Sequence, residues 1–387
     1  MRVLHVVGCY PPALEWGGPP PAVAGYARAL RAAGVEAEVF ATTARASADL
    51  PPVAAGSRVQ DGVPVTFFPA WGRSRAFFSP ALGAALLRRA GEFDLVHAHM
   101  MWAFPGIAAA RAAERAKVPY VLTPHGSLDP WALRQRRLEK RLFLALLEGR
   151  TLRRAAAVHF TAEAERAAAP AWARALPSFV VGNTVDPAPF AAVGEEAVRA
   201  ASRDVLVLGR IHPMKGLDLL VPAFRQVLAR EPGARLVVAG PDEAGHQAEV
   251  EALCARAGIA ARVTFTGLLD AAGRARALAR AALLAAPSYR ENFGMAVAEA
   301  MAAGLPVVVS DKVNIAGEIA AAGAGAVVPC DPAPLAEALA GLLGDPARRA
   351  AMGARGRALV RARWAPAPVG AALRRAYEAV IAGRFSG

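Results

Sequence analysis

Two carboxylates stand in an apolar stretch of the chain. The segment "SYRENFGMAVAEAMAAGLPVVVSD", residues 288–311, carries Glu291 and Glu299 among Ala, Val, Met and Gly. Gly304 and Pro306 predict the end of a helix, and "VVV" predicts a buried parallel strand, so Glu299 is expected inside that helix. A carboxylate buried without partners costs several kcal/mol or changes its pKa. Its partner is expected to be either a core arginine or a bound ligand.

The loop before this helix supplies groups that bind hydroxyls and phosphates. Asn292, Phe293 and Gly294 offer backbone N–H groups at the predicted helix start, and Gly294 permits close approach of a ligand. Glu291 can accept hydrogen bonds from hydroxyls, and Glu299 lies about 7.5 Å beyond Gly294 along the helix axis. The spacing predicts that the two carboxylates hold two hydroxyl-bearing parts of one ligand, on either side of a phosphate. A sugar, a diphosphate and a ribose satisfy that arrangement.

A second candidate phosphate site lies in "DVLVLGRIHPMKGLDLLVPAF", residues 204–224. The pattern predicts a strand, a loop with Arg210 and Lys215, and a helix that opens at Gly216. Two cations beside a helix N-terminus can bind a phosphate or a diphosphate, although the Walker A order of residues is absent. The alternative is that both cations lie on an ordinary surface loop. Lysine is otherwise nearly absent from the chain, which favours a role for Lys215.

Glycines and histidines in the first half of the chain are weaker candidates. Gly17 and Gly18 make either a ligand-facing loop or only a turn. His97 and His99 alternate along the strand "DLVHAH" and therefore face one side. They could form a metal pair, but no third ligand is evident, so packing or an acceptor-side role is the preferred interpretation. His125 follows a strand and precedes a glycine, which favours a functional role.

Apolar β-branched runs alternate with Ala/Leu/Arg-rich stretches from end to end. This alternation predicts βα units, and hence parallel sheets with helices on both faces. There are too many strands for one ordinary sheet, and residues 181–194 are rich in Gly, Pro and Asn, so we expect two similar doubly wound domains joined there. The predicted strands are "RVLHVV", "EAEVFA", "VPVTFF", "DLVHAH", "YVLTP", "AVHFT", "DVLVLG", "ARLVVAG", "RVTFTG", "ALLAAP", "PVVVS" and "AGAVVP"; the predicted helices include 22–33, 81–90, 131–154, 216–230 and 294–303.

The composition excludes some classes of protein and leaves others open. The chain has 387 residues, 55% of them hydrophobic, but no stretch of about 18 apolar residues that predicts a transmembrane helix. Three widely separated cysteines fit a reducing cytoplasm. The net charge of +13 comes from 45 basic and 32 acidic residues. This basicity indicates either a GC-rich genome or attraction to anionic partners such as nucleotides, lipid head groups or nucleic acid.

Several motifs together resemble one enzyme family. The segments "GRIHPMKG", "VAGPDE", "VTFTG" and "APSYRENFGMAVAEAMAAGLPVVVSD" are similar, in order, to the donor-binding half of the family-four retaining glycosyltransferases of the GT-B fold. The most specific part is E-x7-E, Glu291 to Glu299. "GG" at 17–18, "HAH" at 97–99 and "TPHGSLDPW" at 123–131 extend the resemblance to the first half. The prolines at 19–21 depart from the family, which begins its first helix more directly.

The resemblance implies a fold and a set of site residues. The fold would be two Rossmann-like domains facing a cleft: an N-terminal acceptor-side domain, 1–186, a C-terminal nucleotide-sugar-binding domain, 187–365, and a C-terminal helix, 366–387, returning to the N-terminal domain. Catalytic roles would fall to His125 and Glu291, and the ribose to Glu299. The remaining implied contacts are Arg210, Lys215, Gly17 and Gly18 with the donor diphosphate, Glu291, Asn292, Phe293 and Gly294 with the transferred sugar, and Gly240 and Gly267 near the base.

The implied activity is transfer of a sugar from a UDP- or GDP-sugar to an acceptor hydroxyl, with retention of configuration. The acceptor would be a glycan or lipid-linked molecule in bacterial glycan or glycolipid assembly. No D-x-D pattern occurs, so we expect no metal or other cofactor, with cations and helix N-termini stabilising the leaving diphosphate. The alternatives are a sugar-nucleotide epimerase or phosphorylase on the same fold, and a non-catalytic protein that binds nucleotides or anionic surfaces.

The segment 131–154 predicts one helix with basic ends. Its central "LFLALL" is apolar all round and is expected to be buried. One interpretation is an Arg-rich surface helix of the first domain. The other is peripheral contact with anionic lipid through Arg134, Arg136 and Arg137, which would bring a membrane-bound acceptor to the enzyme. We expect a cytoplasmic protein without a nucleic-acid partner. On the second interpretation, it would also contact the inner face of the membrane.

Overall fold

The computed structural model describes residues 1–46, 50–72, 76–134, 137–190, 196–243 and 245–384. The chain packs as two compact units: Met1–Thr184 with Pro366–Gly387, and Val185–Ala365. The predicted boundaries, after residues 186 and 365, lie close to these divisions. The acceptor and donor roles assigned to the two domains stay predictions.

The first unit is built on an eight-stranded sheet with the order β3-β4-β2-β1-β5-β6-β7-β8. Every neighbouring pair is parallel except β3 with β4. Its strands are β1 (Arg2–Val6), β2 (Glu36–Thr42), β3 (Gly56–Gln60), β4 (Val63–Phe68), β5 (Leu95–His99), β6 (Tyr120–Thr123), β7 (Ala157–Phe160) and β8 (Ser178–Val180). Its helices are α1 (Pro19–Ala32), α2 (Pro80–Arg89), α3 (Phe104–Ala116), α4 (Pro130–Arg134), α5 (Arg137–Phe143), α6 (Gly149–Arg154), α7 (Glu163–Ala168), α8 (Ala171–Arg174) and α17 (Pro366–Ile381).

The second unit has a six-stranded parallel sheet with the order β11-β10-β9-β12-β13-β14. Its strands are β9 (Asp204–Leu208), β10 (Arg235–Ala239), β11 (Val263–Gly267), β12 (Leu283–Ala286), β13 (Val307–Ser310) and β14 (Gly325–Val328). Its helices are α9 (Glu196–Ala201), α10 (Leu217–Arg230), α11 (His246–Arg256), α12 (Ala271–Arg280), α13 (Met295–Ala302), α14 (Ala316–Ala322), α15 (Pro332–Leu343) and α16 (Pro346–Arg363).

Both sheets confirm the prediction of two doubly wound α/β domains. Helices on the two faces bury the central strands completely: β5, β6, β7 and β13 have every residue buried. Strand order reverses between β1 and β5 in the first unit, and between β9 and β12 in the second. Such reversal points open a crevice at the carboxyl ends of the strands, where ligands bind in this class of fold. The candidate site residues must therefore be sought in the loops that follow these strands.

Two strands of the first sheet were missed by the sequence reasoning. The edge strand β3 has no apolar alternation, because most of its side chains are exposed or half-buried, and it pairs antiparallel with β4. The other edge strand, β8, has only three residues, "SFV". Short or polar edge strands lack the periodic signal that buried strands carry.

The proline run at 19–21 forms the first turn of α1, with Gly18 at the N-cap. Prolines are compatible with this turn because its backbone N–H groups have no partner within the helix. The C-terminal helix α17 returns to the first unit and packs along α1. A Cβ on Gly370 would lie 2.3 Å from the carbonyl oxygen of Ala29, so the two helices require a glycine at this crossing.

The prediction of one helix over 131–154 with a buried centre was wrong: the segment is divided into several helical elements, and part of its apolar centre is exposed. The segment contains α4, α5, a π-helical turn at Leu144–Glu148, and α6, while residues 135 and 136 lie outside the described residues. Leu138, Leu142 and Leu146 are 80%, 62% and 68% exposed. The apolar run "LFLALL" therefore places two of its leucines on the surface rather than in the core.

Candidate active site

The loops after β9 and β12 lie together in the second unit. The backbone N–H of Tyr289 donates to the carbonyl of Met214 at 2.9 Å, and its hydroxyl donates to Asp218 at 2.7 Å. Behind them, the Ser310 hydroxyl donates to the Ser288 carbonyl at 2.5 Å. These bonds fix the loop that leads into α13 against the start of α10, at the point where strand order reverses. The N-terminus of α10, with its partial positive charge, thus lies beside the loop that carries Glu291.

Lys215 and Glu291 form an ion pair across these two loops. The residue after Lys215, Gly216, has a φ of 68°, and a Cβ there would lie 2.1 Å from the carbonyl oxygen of Pro287. Only glycine allows that approach, so the lysine turn is held tightly against the carboxylate loop. The residues expected to bind a diphosphate and a sugar are therefore in direct contact with each other.

Arg210 makes a second ion pair beside Lys215. Its guanidinium lies 2.5 Å from a carboxylate oxygen of Glu243, which follows β10. The arginine loop also contacts the predicted base region: Gly240 has a φ of 159°, and a Cβ there would lie 1.8 Å from the carbonyl oxygen of Gly209. Gly240 thus lets two neighbouring loops touch. Gly267 ends β11 with a φ of 67°, and a Cβ there would meet no heavy atom within 4 Å, so its substitution would be strained by backbone conformation alone.

The Glu291 loop is held by backbone pairing and by core packing. The Glu291 N–H donates to the Lys312 carbonyl at 3.2 Å, and the Glu291 carbonyl accepts from Asn314 at 3.1 Å. Gly294, with a φ of 82°, caps α13. The Phe293 ring is buried edge-on against Trp364, with ring centroids 5.3 Å apart. Its backbone, rather than its ring, is therefore the part that could serve a ligand.

Glu299 lies on α13 and pairs with Arg274 of α12. An arginine is thus the partner present, one of the two expected from the sequence. Burial raises the pKa of Glu299, and the Arg274 guanidinium acts in the opposite direction. Both side chains keep some exposure, so Arg274 partly compensates the carboxylate while its surface stays accessible.

In the first unit, His125 follows β6 in a constrained backbone. Its φ is 49°, in the left-handed region that non-glycine residues seldom adopt, and Gly126 follows with a φ of 79°. The buried Glu165 fixes this turn, because one carboxylate oxygen accepts from the Gly126 N–H at 2.6 Å and the other from the Thr161 N–H at 2.7 Å. The turn therefore holds the His125 ring in a defined direction.

The His125 ring is joined to two further histidines. Its Nε2 lies 3.2 Å from Nδ1 of His99, and Nε2 of His99 lies 2.9 Å from Nδ1 of His5. Burial is the main cause that lowers the pKa of His125 and His5 to about 3 and the pKa of His99 well below its ordinary value. All three rings are therefore neutral at physiological pH.

His97 and His99 have a third neighbour that sequence reasoning missed. His5 of β1 pairs in register with His97, and ring nitrogens of these three histidines lie within 4.8 Å of one another. Such a set could in principle hold a metal ion. However, both ring nitrogens of His97 are engaged, Nδ1 with Tyr377 and Nε2 with Thr123, each at 2.6 Å. The donor set therefore suits a hydrogen-bond network better than metal coordination.

Gly17 and Gly18 lie in the first unit, immediately before α1. Gly17 has a φ of 90°, which only glycine adopts readily, and Gly18 is the N-cap. The structure thus explains why the chain needs a glycine at position 17. Their predicted contact with a donor diphosphate stays a prediction, as do the other ligand roles.

Four residues of these two sites were not predicted as site residues. Glu243 and Arg274 are the ion-pair partners in the second unit, and His5 and Glu165 support His125 in the first. A signal existed for two of them: Glu243 ends the motif "VAGPDE", and His5 stands in the first apolar strand, where a polar residue needs a partner. Arg274 stands in an Arg-rich helix and carried no such signal.

Two family models match the chain, one in each half. "Glycosyl transferase 4-like domain" matches residues 17–184, and "Glycosyl transferases group 1" matches residues 194–359. A D-inositol 3-phosphate glycosyltransferase of Kineococcus radiotolerans is 32% identical over 366 residues, covering 83% of this chain and 81% of that protein. A phosphatidyl-myo-inositol mannosyltransferase of Mycobacterium tuberculosis is 35% identical over 214 residues, covering 52% and 53%.

Solved structures show the same fold. Sucrose-phosphate synthase from Thermosynechococcus elongatus has a TM-score of 0.77 at 22% identity, covering 98% of this chain and 99% of that one. Anabaena HepE in complex with UDP-glucose has a TM-score of 0.73 at 20% identity, covering 98% and 100%. These similarities confirm the predicted GT-B fold class.

The fold and the motifs define a nucleotide-sugar-dependent transferase. The chain belongs to the group 1, family-four glycosyltransferases, and it is a retaining glycosyltransferase that acts on a nucleotide-sugar donor and an acceptor. The comparisons give no support to an epimerase, a phosphorylase or a non-catalytic binding protein. None of the helices in the described ranges is both long and apolar enough to span a bilayer.

Proposed function

We propose that the second unit binds the diphosphate of a UDP- or GDP-sugar between the N-termini of α10 and α13, with Lys215 and Arg210 as its cations. The contact of Lys215 with Glu291 is the observation that carries this proposal. A diphosphate has more charge than a carboxylate and would draw both cations from their present partners. Lys215 would then turn to phosphate and leave Glu291 to accept hydrogen bonds from the sugar hydroxyls.

We propose that the second carboxylate, Glu299, binds the ribose of the donor. Ribose hydroxyls would donate to Glu299, where the Arg274 guanidinium opposes the rise in pKa that burial causes. The carboxylate therefore keeps its acceptor strength without a cation from the donor. Of the two candidate nucleotides, UDP and GDP, we favour UDP, because HepE has a similar fold and its structure holds UDP-glucose.

The transfer itself would need no metal. Cations and two helix N-termini would stabilise the departing diphosphate. The acceptor hydroxyl would attack the transferred sugar on the same face from which the diphosphate leaves. The leaving phosphate oxygen takes the proton of the acceptor hydroxyl as the new glycosidic bond forms and the old one breaks. His125 is the proposed catalytic residue that would act on the transferred sugar. Full activity in excess chelator supports this mechanism, whereas complete loss restored by Mg²⁺ or Mn²⁺ contradicts it.

Calorimetry with UDP, GDP and their nucleosides tests the diphosphate site. Lys215→Ala should weaken binding of the preferred diphosphate about tenfold or more, because one charge-assisted hydrogen bond contributes roughly 1.5–3 kcal/mol. Nucleoside binding should change little. Arg230→Ala, at the opposite end of α10, removes an exposed cation paired with Glu337 and serves as the matched control. Equal losses for nucleoside and diphosphate would place Lys215 outside the phosphate site.

We further propose a lipid-linked acceptor and contact of the segment 137–154 with anionic lipid. Leu138 and Leu142 are four residues apart on α5 and largely exposed, and Leu146 follows on the π-helical turn. Exposed cations such as Arg141 and Arg150 flank them. Exposed leucines bordered by cations match a membrane interface, where the apolar side chains enter and the cations meet lipid phosphates. The mannosyltransferase relative is named for a phosphatidyl-inositol, which is a lipid.

Sedimentation with vesicles tests this surface. Binding should require anionic lipid, weaken with salt, and fall strongly for Leu138→Gln with Leu142→Gln. Arg134→Ser with Arg141→Ser should weaken it as well, whereas Arg136 and the side chain of Arg137 lie outside what the structure describes. Leu87→Gln replaces a comparably exposed leucine on α2 and is the control. Equal recovery on neutral and anionic vesicles at low salt would contradict the proposal.

A further inference from the structure

One buried hydrogen-bond chain in the first unit has a direction that chemistry fixes. The Val181 carbonyl can only accept, so Nε2 of His159, 2.8 Å away, carries the proton and Nδ1 is bare. The Thr123 hydroxyl, 2.9 Å from that Nδ1, must donate to it. Thr123 therefore accepts from Nε2 of His97, whose Nδ1 in turn accepts from the Tyr377 hydroxyl. Each group has one partner for each role, and both histidines are neutral.

A second chain, His5–His99–His125, runs beside the first and has no carbonyl to fix it. Each ring is neutral and has one N–H, so the three tautomers must align in one of two directions. If His5 Nδ1 donates to His99, then His99 Nδ1 donates to His125 Nε2, and the proton of His125 is on Nδ1. If the direction is reversed, His125 Nδ1 is bare. The tautomer of the ring nearest the outside thus depends on the ring at the buried end.

The buried end decides between the two directions. Nε2 of His5 is fully buried and has no hydrogen-bond partner among the described residues. The first direction leaves a bare nitrogen there, and the reversed direction leaves an N–H. A buried N–H without an acceptor is the rarer defect in protein interiors, so the first direction is favoured.

We propose that His5 is a positioning residue for sugar transfer: through His99 it holds His125 in the tautomer whose Nδ1 donates a hydrogen bond. The role in transfer rests on the proposed place of His125 beside the reacting sugar. In this tautomer Nε2 of His125 is occupied by His99, so Nδ1 presents a proton to a sugar oxygen. His125 then orients the donor and does not take the acceptor proton, which leaves that task to the departing phosphate.

The tautomers can be measured without any substrate. Two-bond ¹H–¹⁵N spectra of the ¹⁵N-histidine-labelled full chain at pH 7.5 distinguish the two forms of each ring, and His125→Asn assigns the His125 signals. We expect Nδ1–H for His125 in the wild type. His5→Asn should preserve it, since its side-chain amide can donate to His99 from the same place as Nδ1. His5→Phe keeps a ring but supplies no donor, so His125 should become a mixture of both tautomers.

Kinetics then separate positioning from stability. His5→Phe should lower kcat about tenfold, the equivalent of one hydrogen bond in the transition state, while KM for the nucleotide sugar changes less than about twofold. His5→Asn should restore most of kcat. The control His159→Asn perturbs the parallel chain and stability but should leave the His125 tautomer unchanged.

Several results would overturn the proposal. One is an Nε2–H tautomer of His125 in the wild type, and another is an unchanged His125 signal in His5→Phe. Equal kcat losses in the two His5 variants would reduce His5 to a structural role. A stoichiometric metal ion in the purified protein would replace the hydrogen-bond chain by coordination. Because the wild-type tautomer is read without substrate, it stands or falls separately from the donor site in the second unit.

Discussion

The histidines around the candidate site of the first unit are buried and neutral, whereas the charged residues of the candidate site in the second unit are partly exposed and ion-paired. His5, His97, His99 and His159 have no exposed surface. Thr123 links His97 to His159 by hydrogen bonds, and His5 bonds directly to His99. In the second unit, Lys215, Arg210 and Arg274 each pair with a carboxylate and remain accessible. A neutral network specifies geometry and tautomers, while accessible ion pairs can exchange partners when a charged ligand arrives.

The two units should differ most in their stability at mildly acidic pH. Burial lowers the pKa of these histidines below the unfolded value of about 6.5, to about 3 for His5 and about 4 for His159. The unfolded state therefore binds more protons as pH falls below that value, and the free energy of unfolding drops. Each fully buried histidine contributes up to about 1.4 kcal/mol per pH unit. Glu299 acts with the opposite sign, because burial raises its pKa in the folded state.

We therefore expect the first unit to lose stability between pH 6.5 and pH 5 before the second does. Hydrogen exchange followed by mass spectrometry at pH 7.5 and 5.5, corrected for intrinsic rates, would locate the loss. Protection should fall in peptides from β1, β5 and β7 and persist in β9, β12 and β13. Equal losses in both units would show that the buried histidines do not dominate the acid response.

Among single substitutions in the two networks, Thr123→Val should produce the largest stability loss. The change keeps the side-chain shape but leaves the His97 N–H and the bare nitrogen of His159 without partners. We expect about 2–4 kcal/mol of destabilisation in urea unfolding, since each buried unpaired group costs about 1–3 kcal/mol. Thr264→Val, at an exposed position on β11 of the second unit, should change stability by less than about 0.5 kcal/mol. Similar effects of the two variants would remove the contrast between the units.

The carboxylates of the second unit should affect ligand binding more than folding. Glu299→Gln should weaken nucleoside binding about tenfold by calorimetry, because a neutral amide accepts ribose hydroxyls less well than a carboxylate. Glu291→Gln should retain nucleotide affinity and lower kcat with the sugar donor. Glu337→Gln, which alters an exposed ion pair with Arg230, should change neither. If the two site variants behave alike, the assignment of one carboxylate to ribose and the other to sugar is wrong.

The same contrast explains what the sequence could predict. Strands of the central sheets were predicted because burial on both faces makes them continuous apolar runs, while β3 and β8 were missed because edge strands lack that pattern. The charged residues of the second unit stood out as cations beside glycines and carboxylates in apolar surroundings. Arg274 could not be chosen, because it is one of many arginines and its contact with Glu299 depends on tertiary packing.

The histidine network was harder to predict for a physical reason. His5, His99 and His125 lie on β1, on β5 and after β6, and only the sheet order brings them together. A sequence pattern shows that His97 and His99 face one side, but not which strand lies beside them. Similarly, the run "LFLALL" was predicted to be buried from composition alone, whereas two of its leucines lie on the surface. Hydrophobicity indicates burial on average and does not distinguish a core from a surface that binds a partner.

Among the candidate-site residues, Arg210 is expected to matter little for stability and much for ligand binding. Its ion pair with Glu243 is partly exposed, so Arg210→Ala should change the free energy of unfolding by less than about 1 kcal/mol. The affinity of the Arg210→Ala variant for the nucleoside diphosphate should nevertheless fall about tenfold or more, since the phosphate would lose a charge-assisted hydrogen bond of roughly 1.5–3 kcal/mol. Arg235→Ala breaks a similarly exposed pair with Asp204, at the amino ends of β10 and β9, and should leave affinity unchanged. A stability loss as large as that of Thr123→Val, or an affinity loss shared with Arg235→Ala, would show that Arg210 holds the fold rather than the donor.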